Sequence, residues 1–435
     1  MGNLMGRKVV SNRLEQDILH MNPNWKRNTA LFLASQTVSL FGSSLVQYAI
    51  IWEITLGTQS GLMMTISIIC GFLPTFLVSP FAGVWADRYD RKTIMILADS
   101  LIAVATLILA ILFLTGHRAL WQFFVISAIR ALGSGIQRPA VGAFLPQIVP
   151  QDMLTKVNAT DSSINSTVNI ISPMVAGALM TKASIEAILF IDVITAAIAV
   201  FILLAFLRVP AHRGALAEQT TGYFDDMRKG FDFVNKHASL KAFCWFNVAF
   251  LVLIAPAAFL TPLQVARSFG DDVWRLTAIE VAFSGGMIVG GLILVVWDGL
   301  RNRVHTMVLA NLANAVGVVL LGVVPDFWLY LFIMAFIGLA VPVFNTVSTV
   351  ILQHRVSGEY LGRVFGIFAM IASLSMPVGM LVFGPMADYV SVESLLIGTG
   401  IGLLIQGFMM MGNKDLVAAG EPVVSESSRL GGSEG

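Results

Sequence analysis

Apolar runs of about 20 residues, interrupted only by short polar or Gly/Pro stretches, recur from near residue 29 to near residue 412. A run of that length crosses a bilayer as a helix, and in hydrocarbon the backbone must satisfy its own hydrogen bonds. The chain is therefore confined to a bundle of membrane helices. Spans are expected near 29–55, 60–85, 93–115, 119–142, 157–181, 185–208, 241–266, 277–297, 304–323, 327–350, 362–387 and 391–412. Hydrophobic residues make up 56% of the 435 and charged residues 12%, about half the charge of an ordinary soluble domain. There is no HExxH, GxSxG, Walker A run or Cys/His cluster. The sequence thus carries no enzyme or ATP-driven pump motif, and no metal, cofactor or nucleic-acid partner is expected. Cys70 and Cys244 fall inside apolar spans and read as small buried hydrophobes without a bridge.

Between the second and third runs, Gly83 to Lys92 packs five charges (Asp87, Arg88, Asp90, Arg91, Lys92) into ten residues, which requires a tight, water-facing hairpin. Lys and Arg in short loops set topology, and most of them fall on the hairpin's side. With an even number of spans, both termini are expected in the cytoplasm. The organisation expected is a segment 1–28, a six-span half 29–208, a linker 209–240, a second half 241–412 and a solvated tail 413–435. Residues Glu15 to Asn22 read equally as a short surface helix or a plain tail. Within the linker, Tyr223, Met227, Phe231 and Val234 recur at helical spacing, which predicts an amphipathic surface helix. The stretch Val296 to Arg303 is a worn counterpart of the hairpin.

Gly83, Asp87, Arg88, Arg91 and Lys92 match the GxxxDRxxRK pattern between helices two and three of major facilitator superfamily transporters. With Ser79-Pro80-Phe81-Ala82 before it, the hairpin resembles the macrolide-efflux branch. The resemblance implies an all-α polytopic protein whose twelve helices form two six-helix bundles, related by a pseudo-two-fold axis along the membrane normal. It implies a gating role for the hairpin residues, with Asp87 at the N-terminus of helix three. It also implies a monomer in the lipid of the bacterial cytoplasmic membrane, exporting amphipathic small molecules by proton-coupled alternating access. A dedicated exporter of a siderophore or lipid-like molecule is the alternative, and a non-transporting sensor or scaffold a remote one. The family's glycine-rich run in helix five is reduced here to Ser172-Pro173-Met174-Val175-Ala176-Gly177, which departs from the antiporter pattern.

Polar residues at membrane depth supply the candidate site. Span one carries a stripe of Gln36, Ser39, Ser43 and Gln47, and span five one of Asn158, Asp161, Asn165, Asn169 and Ser172. Either stripe faces a water-filled cavity or makes interhelical hydrogen bonds. Asn247 in span seven and Asn345 and Thr349 in span ten join the expected substrate cavity, whose walls the resemblance assigns to spans one, four, seven and ten. Arg130 lies near the bilayer centre, where a charge is functional by default. Asp99 is its expected partner. Glu53 is the first choice of carboxylate for proton coupling, while Asp192 and Glu280 are expected to pair with outer cations or water.

Overall fold

The structure, a computed structural model, describes residues 24–207, 223–297, 299–356 and 358–421. Expectations for the first 23 residues (Arg7, Lys8, Arg13 and the Glu15 to Asn22 segment), for 208–222 and for the tail beyond 421 lie outside the described residues. The described residues are helical and contain no strand. Twelve long helices follow the apolar runs: α1 (Trp25–Thr58), α2 (Gly61–Arg88), α3 (Arg91–Leu114), α4 (Leu120–Ile148), α5 (Leu154–Lys182), α6 (Ile185–Ala205), α8 (Ala238–Phe259), α10 (Val273–Val296), α11 (Arg303–Leu321), α12 (Phe327–Arg355), α13 (Gly358–Met386) and α14 (Val392–Gly412). Shorter helices are α7 (Tyr223–Lys236), α9 (Thr261–Ser268) and α15 (Lys414–Ala419).

Ten membrane-crossing candidates meet the length and apolarity of a span. The two long helices that fall short are α4, with Arg130, Gln137 and Arg138, and α5, rich in Ser, Thr and Asn. Several helices run past their apolar stretch, because polarity alone does not stop a helix. The end of α4 comes only at Val149, which is extended ahead of Pro150 as a residue before proline must be. The expected span 241–266 is instead two helices, α8 and α9, with a break at Leu260 and Pro262 in the first turn of α9.

The chain separates into two compact units, the first comprising residues up to 49 with 73–216, the second 50–72 with 217 onward. The first unit packs Phe32, Met95, Phe144, Leu145, Ile148, Leu203 and Leu207 into one core, with the Phe32 and Phe144 rings 5.0 Å apart. In the second, α10 and α12 approach backbone to backbone. A Cβ on Gly290 would lie 2.2 Å from the Leu339 carbonyl oxygen, and one on Gly338 2.1 Å from that of Phe283. Glycines permit such contact between membrane helices, where apolar burial against lipid gives little drive.

Residues 50–72, the facing ends of α1 and α2, belong to the second unit. Asp388, in the turn after α13, accepts the backbone N–H groups of Gly61 (2.7 Å) and Leu62 (3.0 Å) and the Ser60 hydroxyl (2.9 Å). Arg267 donates to Asp388 at 3.3 Å and to the Ala387 carbonyl at 2.6 Å. Partial burial pushes the Asp388 carboxyl's pKa up, but these donors outweigh it and hold the group below the usual carboxylate range.

The amphipathic helix expected in the linker is present as α7, but Phe233 rather than Phe231 carries its contact. Phe233 stacks on Tyr360 with ring centroids 4.5 Å apart and Val234 is buried, while Phe231 is exposed. The side chains of Tyr223 and Met227 lie outside the described residues.

Candidate functional site

The first unit holds an ion pair in its interior. Arg130 on α4 is 8% exposed and Asp192 on α6 fully buried, and the guanidinium donates to Asp192 Oδ2. It also donates to Thr106 Oγ1 on α3 and, at 3.0 Å, to the Ser43 carbonyl on α1. The Ser43 hydroxyl donates to Asp192 Oδ1 at 3.2 Å, and Thr106 Oγ1 lies 3.0 Å from Asp192 Oδ2. The expected pair of Arg130 with Asp99 is therefore corrected: the arginine's carboxylate is Asp192. Counting 1.5 Å per residue from helix ends on one side, Arg130 lies about 15 Å deep, Asp192 about 11 Å and Asp99 about 22 Å. Reach favours Asp192. Such a buried pair contributes little net stability, but losing one partner strands the other's charge.

One layer nearer the 88–91 hairpin, Asp99 is 1% exposed and, among the described residues, has no cation paired with it. Both its donors fall on one oxygen. Ser39 Oγ donates to Oδ1 at 2.7 Å and Gln137 Nε2 donates to the same atom at 2.9 Å, while the buried Oδ2 has no partner. The Gln36 amide oxygen sits 3.5 Å from Gln137 Nε2. The span-one stripe thus serves two layers, Ser39 holding Asp99 and Ser43 holding Asp192, with Gln36 half-buried and Gln47 exposed beyond them. Sequence reasoning missed Thr106 and Gln137. Both stood seven residues from a charged residue already singled out, Thr106 from Asp99 and Gln137 from Arg130, which places each pair on one helix face.

At the hairpin, the carboxylate at the N-terminus of α3 is that of Asp90, which corrects the placement of Asp87. Asp90 accepts from the Thr93 backbone N–H at 2.9 Å and from its hydroxyl at 2.7 Å, a helix N-cap. Asp87 falls in the last turn of α2, and its side chain lies outside the described residues. Arg91 donates to the carbonyls of Ala86 (3.0 Å) and Ala143 (2.8 Å), and Lys92 to that of Leu207 (2.7 Å), so the cations tie α2, α4 and the end of α6 together. Arg88 is exposed, and a Cβ on Gly83 would meet open space. In the second unit the corresponding cap is an amide. Asn302 accepts from Val304 N at 2.9 Å and donates to the Val417 carbonyl at 2.9 Å, and Gly299 takes φ +84 in the turn before it.

Residues 25–427 match the family described as transmembrane secretion effectors. Macrolide efflux protein A of Streptococcus pyogenes is 32% identical over 380 residues, covering 86% of this chain and 94% of that protein. The chain belongs to the macrolide-efflux branch of the major facilitator superfamily. Enterobactin exporter EntS of Shigella boydii is 23% identical over 405 residues, covering 92% and 93% of the two chains. Among solved structures the nucleoside transporter NupG superposes with a TM-score of 0.68 at 15% identity, covering 89% of this chain and 98% of that one.

In this transporter the remaining polar residues occupy varied settings. Helix α5 is polar nearly all round its first half rather than along one stripe. Asn158 and Asn169 are exposed, Asp161 and Asn165 half-buried, and the Asn165 amide donates to the Asp161 carbonyl at 2.8 Å. The hydroxyls of Thr160, Ser163, Ser166 and Thr167 each donate to the carbonyl four residues back. Asn247 is buried in the second unit, Asn345 exposed and Thr349 half-buried. Glu53 is half-buried on the 50–72 segment, and Glu280 half-buried on α10. Trp245 is 71% exposed. A cavity of about 660 Å³ opens beside the hairpin between Trp85, Tyr89, Thr93, Leu97 and Ile136, and none of the expected cavity residues lines it.

Proposed function

We propose that this efflux transporter exports amphipathic, macrolide-like small molecules across the bacterial cytoplasmic membrane by alternating access, driven by proton antiport. Both termini lie in the cytoplasm and the chain works as a monomer in lipid. The observation that carries the reading is the interior of the first unit, where Arg130, Asp192 and Asp99 are held at membrane depth by Ser39, Ser43, Thr106 and Gln137. Charges there are costly, and a scaffold gains nothing from them. In the first unit Gln36, Gln47 and Asn165, and in the second, taken by itself, Asn345 and Thr349, offer sparse hydrogen bonds to a solute. Of the other candidates Ser39 and Asn247 are buried and Ser43 half-buried. The hairpin residues Gly83, Asp87, Arg88, Arg91 and Lys92 act in gating, and Glu53 is the alternative carboxylate for proton coupling.

Expression in a drug-sensitive bacterium should raise resistance to macrolides and to unrelated amphipathic drugs, with efflux of a fluorescent substrate abolished by an uncoupler. Resistance to none of them overturns drug export. The similarity to an enterobactin exporter favours a second reading, export of one dedicated siderophore-like metabolite. A strain lacking its own exporter and accumulating such a product would separate the two.

A further inference from the structure

We infer that Asp99 is a proton-binding site, carrying one exchangeable proton on Oδ2. Three observations in the first unit lead to it. The first is charge balance: Asp99 and Asp192 are both buried, and Ser39 and Ser43, which hold them, stand one turn apart on α1. The guanidinium of Arg130 is spent on Asp192. A second ionised carboxylate would leave an uncompensated charge in a water-poor interior, which burial penalises heavily.

The second observation is the pattern of donors on Asp99. A carboxylate needs donors at both oxygens, whereas a carboxylic acid has one carbonyl oxygen that accepts and one hydroxyl. Ser39 and Gln137 both donate to Oδ1, leaving Oδ2 alone. That is the arrangement of the acid. A neutral hydroxyl without an acceptor costs far less than an ion without a donor.

The third is that, among the described residues, no cation pairs with the site from the helices around it. Arg91 and Lys92, at the hairpin end of α3, are engaged with backbone carbonyls. Arg118 and Glu186 pair with each other at the opposite end. Arg138 on α4 is exposed, and Lys26, Arg27 and Glu53 lie near the ends of α1. The charge that acts on Asp99 is the Asp192 carboxylate on α6, which is of like sign.

The inference uses the transport reading only for its purpose, as the place where the coupling proton resides. Its test needs no substrate. Infrared difference spectra of the full-length transporter in lipid nanodiscs, in H2O and D2O, should contain a carboxylic-acid C=O band that shifts on deuteration. Asp99→Asn should abolish that band. Ser39→Ala, which removes one donor from Oδ1 and keeps the acid, should shift the same band to higher frequency. If Asp99→Asn leaves every such band in place, or Ser39→Ala moves none, the proton sits elsewhere and the inference is overturned. Failure of drug export would be read separately, since a band that obeys both variants stands whether or not any drug is carried.

Discussion

The two units answer the same structural demand with different chemistry. The helix after the hairpin is capped by Asp90 in the first unit, and its counterpart α11 is capped by Asn302 in the second. Nine residues after each cap stands a buried polar side chain, Asp99 in one and Asn311 in the other. The Asn311 amide donates to the Leu403 carbonyl at 3.1 Å, a contact between neutral groups. Elsewhere in the second unit's interior, Gln264 and Gln406 donate to carbonyls of Leu321 and Phe246, and Tyr330 donates to Gln264. The carboxylate–guanidinium pairs there, Asp388 with Arg267 and Asp272 with Arg275, sit at helix ends rather than at depth. Amides satisfy a buried site in one protonation state; carboxylates do so only with a cation or a proton. At these matched positions the first unit relies on a carboxylate and the second on a neutral amide.

The sharpest way to break that contrast is at Arg130. Arg130→Met strands Asp192 and should destabilise the fold by about 3–5 kcal/mol and abolish export. Adding Asp192→Asn should recover most of the stability but none of the transport. Thermal unfolding in detergent beside whole-cell efflux checks both halves, and a double variant no more stable than the single would mean that the pair is not the reason.

Exchanging the matched residues is the next test. Asn311→Asp places a carboxylate against the Leu403 carbonyl and should cost about 1–3 kcal/mol. Asp99→Asn should cost no more than about 1 kcal/mol, because the amide oxygen still accepts from Ser39 and Gln137. It should nonetheless remove the dependence of export on the proton gradient in inverted vesicles, while Glu53→Gln retains it. Gradient dependence lost in the Glu53 variant alone would move coupling out of the first unit.

The caps should show a smaller difference. Asp90→Ala loses about 1 kcal/mol of helix capping, while Asp90→Asn, which copies the second unit, loses only a few tenths. Smallest is the acid response of Asp388. Its pKa is lowered in the fold, so its contribution is complete above the unfolded value of about 4 and is lost as pH falls through the lower folded value. Hydrogen exchange at Gly61 and Leu62 should rise on that acid limb and be flat in Asp388→Asn, with solvent screening keeping the change modest.

The number and approximate places of the long helices were legible in the sequence because hydrocarbon thickness sets a minimum apolar length for a span. Their ends were not, since α4 and α12 run on past their apolar stretches. The hairpin was legible because five charges cannot enter the bilayer. Depth could be counted, which is why Arg130 stood out, yet its partner was misassigned. Depth from one end of an approximate span carries an error of a turn, and nothing in the sequence states which helices are neighbours. Asp192 was set aside as an outer acid although its depth suits an arginine's reach. Phe231 was preferred to Phe233 on α7 because periodicity fixes a stripe's spacing more firmly than its phase. The clasp of Asp388 on Gly61 joins residues more than 300 positions apart, and no local pattern announces it.

Along the first half of α5 the hydroxyls of Thr160, Ser163, Ser166 and Thr167 each spend their proton on the carbonyl four residues back. Those four present oxygen lone pairs outward and cannot return a hydrogen bond without breaking one of their own. The exposed side chains of Lys156, Asn158 and Asn169 on the same stretch can still donate. A solute rich in N–H or O–H groups meets acceptors along it without disturbing the helix, whereas a solute with only acceptors depends on donors such as those three side chains.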